Sequence, residues 1–207
     1  MPAREYHEQL WRDLPRGATP SDFELRRRFL LARVQPGQRV LDLGCGEGAF
    51  AAALVDAGLD VLAVDVAAEA LRRAHAARPQ LELKLLEHEA RWELPDASFD
   101  VVWAGEVIEH VADTAGWLSE ARRVLRSGGR LLLTTPALGP AQLLSAAVSR
   151  RAFARRFEPR SDHLRHYSRA TLAALIADFG FEQIDVRAGG RRAAPHVLLA
   201  SALRSRF

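Results

Sequence analysis

The chain has 207 residues, 48% hydrophobic and 27% charged, which gives it the length for one domain with a full core and excludes a disordered or fibrous class. A net charge of +3 is too small to argue for a nucleic-acid partner, and the single cysteine, Cys45, excludes an internal disulfide framework or a Cys-rich zinc site. No stretch approaches the roughly 18 uninterrupted apolar residues of a membrane span, and the opening MPAREYHEQLWRDLPRG lacks an apolar run of signal-peptide length, so a cytoplasmic protein is expected.

Residues 4–14 and 21–34 read as two helices, a helical cap over 1–35 ahead of the first strand. Ser21 followed by Glu24 is a capping-box signal for the second helix, whose Phe23, Leu30, Leu31 and Val34 fall near one face. Such a segment serves either as an amphipathic packing element or as a lid over a ligand, because it lies near the strand that it feeds. Apolar runs at 40–43, 59–65, 81–86, 99–104 and 130–135 read as strands. Helical stretches at 47–57, 69–77 and 114–126 lie between them, the last closed by a turn at Ser127, Gly128 and Gly129. This alternation predicts an α/β fold with a parallel sheet covered on both faces.

Pro136 breaks the pattern. Residues 141–157 read as a helical run inside an insertion over about 137–160, with Arg150, Arg151, Arg155 and Arg156 in its second half. Helix 170–179 and strand 181–187 resume the alternation, and 195–203, turned back by Gly189 and Gly190, is expected to pair antiparallel as the last strand.

The stretch VLDLGCGEGAF over 40–50 joins a buried strand to a helix through Gly44, Gly46 and Gly48, a loop whose backbone can approach a ligand closely. Read through Ala49, it also satisfies the dinucleotide fingerprint G-x-G-x-x-A. Asp65, at the end of the next strand, suits a ribose in either ligand class. Asp42 and Glu47, with no lysine or arginine in the stretch, favour a ligand with cationic groups, and S-adenosylmethionine fits that better than NAD.

Five blocks in order, VLDLGCGEGAF, VLAVDVAAEAL, LPDASFDVVWAGEVIEHV, EARRVLRSGGRLLLTTP and HLRHYSRATLAALIADFGFEQIDV, resemble class I S-adenosylmethionine-dependent methyltransferases over roughly residues 36–187. The nearest subgroup resembles small-molecule methyltransferases related to the ubiquinone-pathway O-methyltransferases. The resemblance implies a Rossmann-like sheet of seven strands in the order 3-2-1-4-5-7-6, with strand 7 antiparallel, and S-adenosylmethionine as cofactor. It implies cofactor contacts at Asp42, Gly44, Cys45, Gly46, Asp65, Val66 and Glu106, with Asp65 on the ribose. Glu89 and Ala90 are the nearest match to the adenine readers, with one extra residue before Leu94 and Pro95. Cys45 is expected to pack rather than react, and Trp92 and Trp103 to be core or pocket wall.

Methyl transfer from a sulfonium is an in-line displacement, so the protein aligns donor and acceptor, and a base is needed only where the acceptor loses a proton. Candidates lie just after the fourth strand, at Glu106, Glu109 and His110, and after the insertion, at His163, His166 and Tyr167. His110 is the leading base, with Glu106 and His166 as further catalytic candidates. No metal is assigned. Glu106, Glu109, His110 and a later histidine nonetheless form an oxygen and nitrogen set of a kind that relatives with a similar E-x-x-E-H run use to grip hydroxyls. Leu143, Leu144, Val148 and Phe153 beside the arginines make 141–157 a candidate for peripheral contact with an anionic membrane or a cover for a hydrophobic acceptor. The expected activity is methylation of a small-molecule or lipid-like acceptor, O-methylation favoured, with no nucleic acid partner. A non-catalytic S-adenosylmethionine-binding scaffold and an NAD-dependent oxidoreductase are the alternatives.

Overall fold

The apolar runs all enter one sheet in the computed structural model, which describes residues 3–86, 91–158, 161–191 and 194–206. The strands are β1 (Arg39–Leu43), β2 (Asp60–Asp65), β3 (Glu82–Leu85), β4 (Phe99–Gly105), β5 (Leu125–Pro136), β6 (Phe181–Arg191) and β7 (Ala194–Arg204). The helices are α1 (Ala3–Asp13), α2 (Phe23–Leu31), α3 (Ala49–Asp56), α4 (Ala68–Ala77), α5 (Thr114–Val124), α6 (Pro140–Val148), α7 (Arg150–Arg156) and α8 (Arg169–Asp178). The strand order is β3-β2-β1-β4-β5-β7-β6, with β1 to β5 parallel and β7 antiparallel to both neighbours. This is the Rossmann-like sheet that the motif resemblance implied.

Strand periodicity sends alternate side chains to opposite faces, and both faces are buried. Val40, Val61, Val101 and Trp103 pack with Phe29 and Leu30 of α2 and with Phe50 and Leu54 of α3. Leu41, Leu43, Val64 and Val102 pack on the other face with Trp117 and Leu118 of α5 and with Leu172 and Ile176 of α8. Trp103 is fully buried, with its ring 5.1 Å from Phe50 and 6.5 Å from Phe29. It is therefore core, one of the two expected roles.

Three local expectations give way to competing interactions. The Ser21/Glu24 capping box does not form: Asp22 takes the N-cap position of α2 in a left-handed conformation, its carboxylate 2.8 Å from His196 Nε2, while Glu24 pairs with Arg27. The turn at Ser127, Gly128 and Gly129 is absorbed into β5, whose pairing with β4 jumps from Phe99↔Leu125 to Val101↔Arg130. The insertion is two helices rather than one run, because the Ser149 side chain accepts from Ala152 N at 3.2 Å and caps a new helix, α7.

α2 is a packing helix, but α1 lies outside both core clusters and is tied to α4: Glu8 accepts from Glu69 N at 3.1 Å, and Arg73 donates to Leu14 O at 3.0 Å. Among the described residues no helix is long and apolar enough to cross a membrane.

Candidate active site

The glycine loop leaves β1 at the carboxyl end of the sheet, where open parallel sheets place ligands. Gly44 N and Cys45 N both donate to Val64 O at 2.9 Å, which fixes the turn. Gly44 and Gly46 have φ of 75° and 55°, and a Cβ on them would lie 2.6 Å from Val107 Cγ2 and 2.8 Å from the Trp11 ring. Both positions therefore require glycine for conformation and for space.

Asp65 ties the loop to the end of β2: one carboxylate oxygen accepts from Gly46 N and the other from Ala67 N, each at 2.9 Å. It lines a cavity together with Gly44, Val66, Glu106 and His110. Asp42 sits differently. Alternation along β1 puts it on the face of Val40, toward α3, where it is 1% exposed and not among the residues lining the cavity. Burial first, and then the Asp65 charge, push its carboxyl up to about 7. Cys45 is buried and its thiol is pushed well above the ordinary range by burial, as expected of a packing residue. Glu47 corrects the charge argument made from the loop alone. Arg73, from α4, lies 3.0 Å from Glu47 Oε1, and Glu47 Oε2 accepts from Gly17 N at 2.7 Å, so no uncompensated charge remains there for a ligand.

At the end of β4 the chain passes through Glu106 with φ of 59°, a left-handed conformation that a glutamate rarely adopts. Burial raises its carboxyl above the usual range, opposed by the charge of Arg26. Glu109 is 1% exposed and accepts from Thr135 Oγ1 at 2.9 Å; burial and then Glu106 push it up to about 8. Glu106 Oε1 and Glu109 Oε1 have no hydrogen-bond partner among the described residues. His110 Nδ1 lies 3.1 Å from the Asp162 carbonyl and 3.3 Å from its carboxylate. Burial lowers the pKa of His110, which keeps the ring neutral at physiological pH. A carbonyl oxygen only accepts, so Nδ1 carries the proton and Nε2 keeps a lone pair.

The His163 ring lies 4.8 Å from that of His110, and His7 of α1 lies 6.0 Å away on another side. Glu109, His110 and His163 each offer an atom within 4.8 Å of the others. Of the expected second group, His163 thus joins His110. His166 lines a separate groove with Arg156 and stacks edge-on to Phe157 at 5.7 Å, so the structure does not bring it into the cavity. Tyr167 is buried, with its hydroxyl donating to Ile108 O at 3.5 Å and its phenol pushed up to about 12 by burial. Glu89 and Ala90 lie outside the described residues.

Other residues enter the site that motif reading passed over. His7 and Trp11, four apart on one face of α1, line the cavity. Arg26, 3% exposed, stands over the Phe50 ring at 4.8 Å and packs on Gly105. Asp162 follows the insertion and orients His110. Their common signal is faint: each is an ordinary polar residue whose partner lies far away in sequence.

A methyltransferase domain family matches residues 10–186. A ubiquinone biosynthesis O-methyltransferase of Xanthomonas axonopodis pv. citri is 31% identical over 168 residues, which cover 78% of this chain and 70% of that protein. A probable S-adenosylmethionine-dependent methyltransferase of Mycolicibacterium smegmatis is 34% identical over 155 residues, 75% of this chain and 56% of that protein. The chain belongs to the class I S-adenosylmethionine-dependent methyltransferases. Among solved structures, Haemonchus contortus phosphoethanolamine N-methyltransferase 2 in complex with S-adenosyl-L-methionine shares the fold at a TM-score of 0.69 and 18% identity, covering 90% of this chain and 54% of that one.

S-adenosylmethionine is the cofactor of this methyltransferase, which settles the choice left open by the glycine loop in favour of a methyl donor over NAD. The residues present fit it. The cavity offers a carboxylate, Asp65, beside an apolar wall of Leu86, Trp92, Val111 and Trp117, and buried Trp92 Nε1 has no partner among the described residues. That is the combination of acceptor, flat apolar surface and spare donor that a nucleoside uses.

The state of Asp42 yields a stability test. Its folded pKa lies above the unfolded value of 3.8, so the stability conferred by the neutral form is fully present below pH 3.8 and is lost as pH rises through about 7. Asp42→Asn, neutral throughout, should raise the thermal midpoint at pH 8, by roughly 2–4 °C per kcal/mol relieved, with the gain vanishing near pH 4. Thermal denaturation at both pH values checks this; an equal or lower midpoint at pH 8 would refute it.

Proposed function

We propose that this methyltransferase O-methylates a small-molecule or lipid-like acceptor, with His110 as the base that takes the acceptor proton. The observation that carries the reading is the Nδ1 contact with the Asp162 carbonyl, which leaves Nε2 of a neutral imidazole as the acceptor nitrogen at the cavity. The resemblance to a protein named as an O-methyltransferase supports the same chemistry.

When bound, S-adenosylmethionine supplies an electrophilic methyl group on a sulfonium. Asp65, already oriented by two backbone amides, would accept from the ribose hydroxyls, and the Gly44, Cys45 and Gly46 backbone and Val66 would border the donor. Trp92 would wall the adenine. Glu106 would stand near the donor's cationic end, where its desolvated carboxylate is matched by positive charge. His7 and Trp11 of α1 would exclude water above the reacting atoms. His163 takes the place expected of a later histidine, and His166 acts outside this cavity.

Replacing His110 with Ala should lower kcat on a hydroxyl acceptor by about 100-fold or more, with S-adenosylhomocysteine affinity changed less than about threefold. Single-turnover methyl transfer and calorimetry measure the two quantities. An unchanged rate would remove His110 as base.

A specific observation favours a second reading of the same cluster. Glu109, His110 and His163 converge, and an orphaned Glu109 oxygen is among the converging groups. These are oxygen and nitrogen ligands suited to a divalent cation, which would grip acceptor hydroxyls and occupy the His110 Nε2 that would otherwise act as base. Activity lost in chelator and restored by added magnesium or manganese would select this reading; activity indifferent to both would select the base.

The insertion supports a lipid-facing role. Leu144, Val148 and Phe153 are 65%, 77% and 54% exposed on α6 and α7, next to Arg150 and Arg151. We assign this face to peripheral contact with an anionic membrane. Co-sedimentation with vesicles containing phosphatidylglycerol should exceed that with neutral vesicles and fall in Val148→Glu/Phe153→Glu; retention equal on both vesicles would overturn it.

A further inference from the structure

A second concavity lies next to the His110 cluster and is absorbed by none of the roles above. It is lined by Gln142 and Ser145 of α6, Arg156 of α7, and Ser161, His163 and His166 of the segment that returns to α8. The lining contains no acidic side chain among the described residues. Among the described residues no carboxylate pairs with Arg156, in contrast to Arg72 with Glu69 and Arg78 with Asp56. The Arg156 charge reaches the His166 ring, whose pKa is lowered by burial and then by Arg156. Gln142 is already committed, its Oε1 accepting from Gly139 N and its Nε2 donating to Pro195 O. Ser161 Oγ accepts from His163 N and keeps its own proton to donate. His166 is also committed, its ring hydrogen-bonded to the Arg156 backbone, so the donors left over are a guanidinium fork and the Ser145 and Ser161 hydroxyls, a set matched to a phosphate or carboxylate.

His163 belongs to both places: it lines this groove, and its ring lies 4.8 Å from His110. A molecule presenting an oxygen to His110 can thus extend past His163 into the groove. We propose that the groove seats an anionic group of the acceptor, a phosphate or carboxylate held by Arg156 with the Ser145 and Ser161 hydroxyls, so that this enzyme selects acidic acceptors and uses the charge to set the methylated oxygen. The proposal rests on the acceptor site described under Proposed function. It assigns Arg156 as a specificity-determining residue, with His166 bonded to the Arg156 backbone beside it.

The test is a binding comparison in the presence of S-adenosylhomocysteine, with 4-hydroxybenzoate as the anionic probe and 4-methylphenol as its neutral counterpart. The wild-type enzyme should bind the anionic probe about 10- to 100-fold more tightly, the range expected of hydrogen bonds to a charged group. Arg156→Gln should abolish the preference without changing affinity for the neutral probe, Arg156→Lys should restore part of it, and Arg78→Gln, on the far side of the molecule, should leave it intact. No preference in the wild type, or a preference that survives Arg156→Gln, overturns the proposal. Because the readout is binding, an intact preference accompanied by no methyl transfer to any hydroxyl would refute O-methylation and leave the groove standing.

Discussion

Arg26 is the charge on which the site is balanced. It rises from α2 into the protein interior, 3% exposed, and its charge acts on Glu106, Glu109, Asp42 and Asp22. Burial alone would drive Glu106, Glu109 and Asp42 toward their neutral forms, and the two strongest shifts, to about 7 and about 8, show one cation falling short of its several partners. The deficit is met by protons or by a cationic ligand. A molecule bearing a sulfonium and an amine meets it without proton uptake, which gives a physical reason for a donor of that kind at this end of the sheet. The carboxylates Asp65 and Glu106 line the cavity, and Glu47, whose charge Arg73 neutralises, does not.

The end of β4 carries a strained turn: Glu106 enters the left-handed region at φ 59° as the chain leaves the strand toward His110, and the Arg26 charge acts on its carboxyl. Its amide is held by Thr134 O at 2.9 Å, so the neighbouring strand sustains the strained conformation. A hydrogen-bonded β4 end, followed by the buried Ile108 and Glu109, can aim the carboxylates and His110 without waiting for a ligand to order them.

The fold and the donor end were legible because local rules govern them. Continuous apolar runs buried on both faces mark β1, β2 and β4, and Gly44 and Gly46 are dictated by positive φ and by the Val107 and Trp11 side chains that press on them. The acceptor end was legible only in part. His110 and Glu109 follow from their place after β4, but the groups that give them meaning arrive from residues 7, 26, 162 and 163, and no local periodicity encodes those meetings. The Ser21 cap and the single insertion helix failed for a related reason. Asp22 and Ser149 are equally good local caps, and the longer-range contact of Asp22 with His196 favours one start over the other.

This division has a consequence for specificity. The sheet and glycine loop fix where the donor lies, whereas on the proposed reading the acceptor would be met by α1 and by α6 and α7, elements outside the regular strand–helix alternation. α1 is held to the body mainly by polar contacts between Glu8 and Glu69 and between Arg73 and Leu14, and such contacts exchange with water at little net cost. α6 and α7 expose Leu144, Val148 and Phe153, apolar surface that gains stability only when something covers it. An acceptor or a membrane that buries this surface while an anionic group meets Arg156 would supply binding energy remote from the reacting atoms. That energy would order the cover and hold the acceptor atom in line with the methyl group, so on this reading the least regular segments of the chain would decide which molecule is methylated.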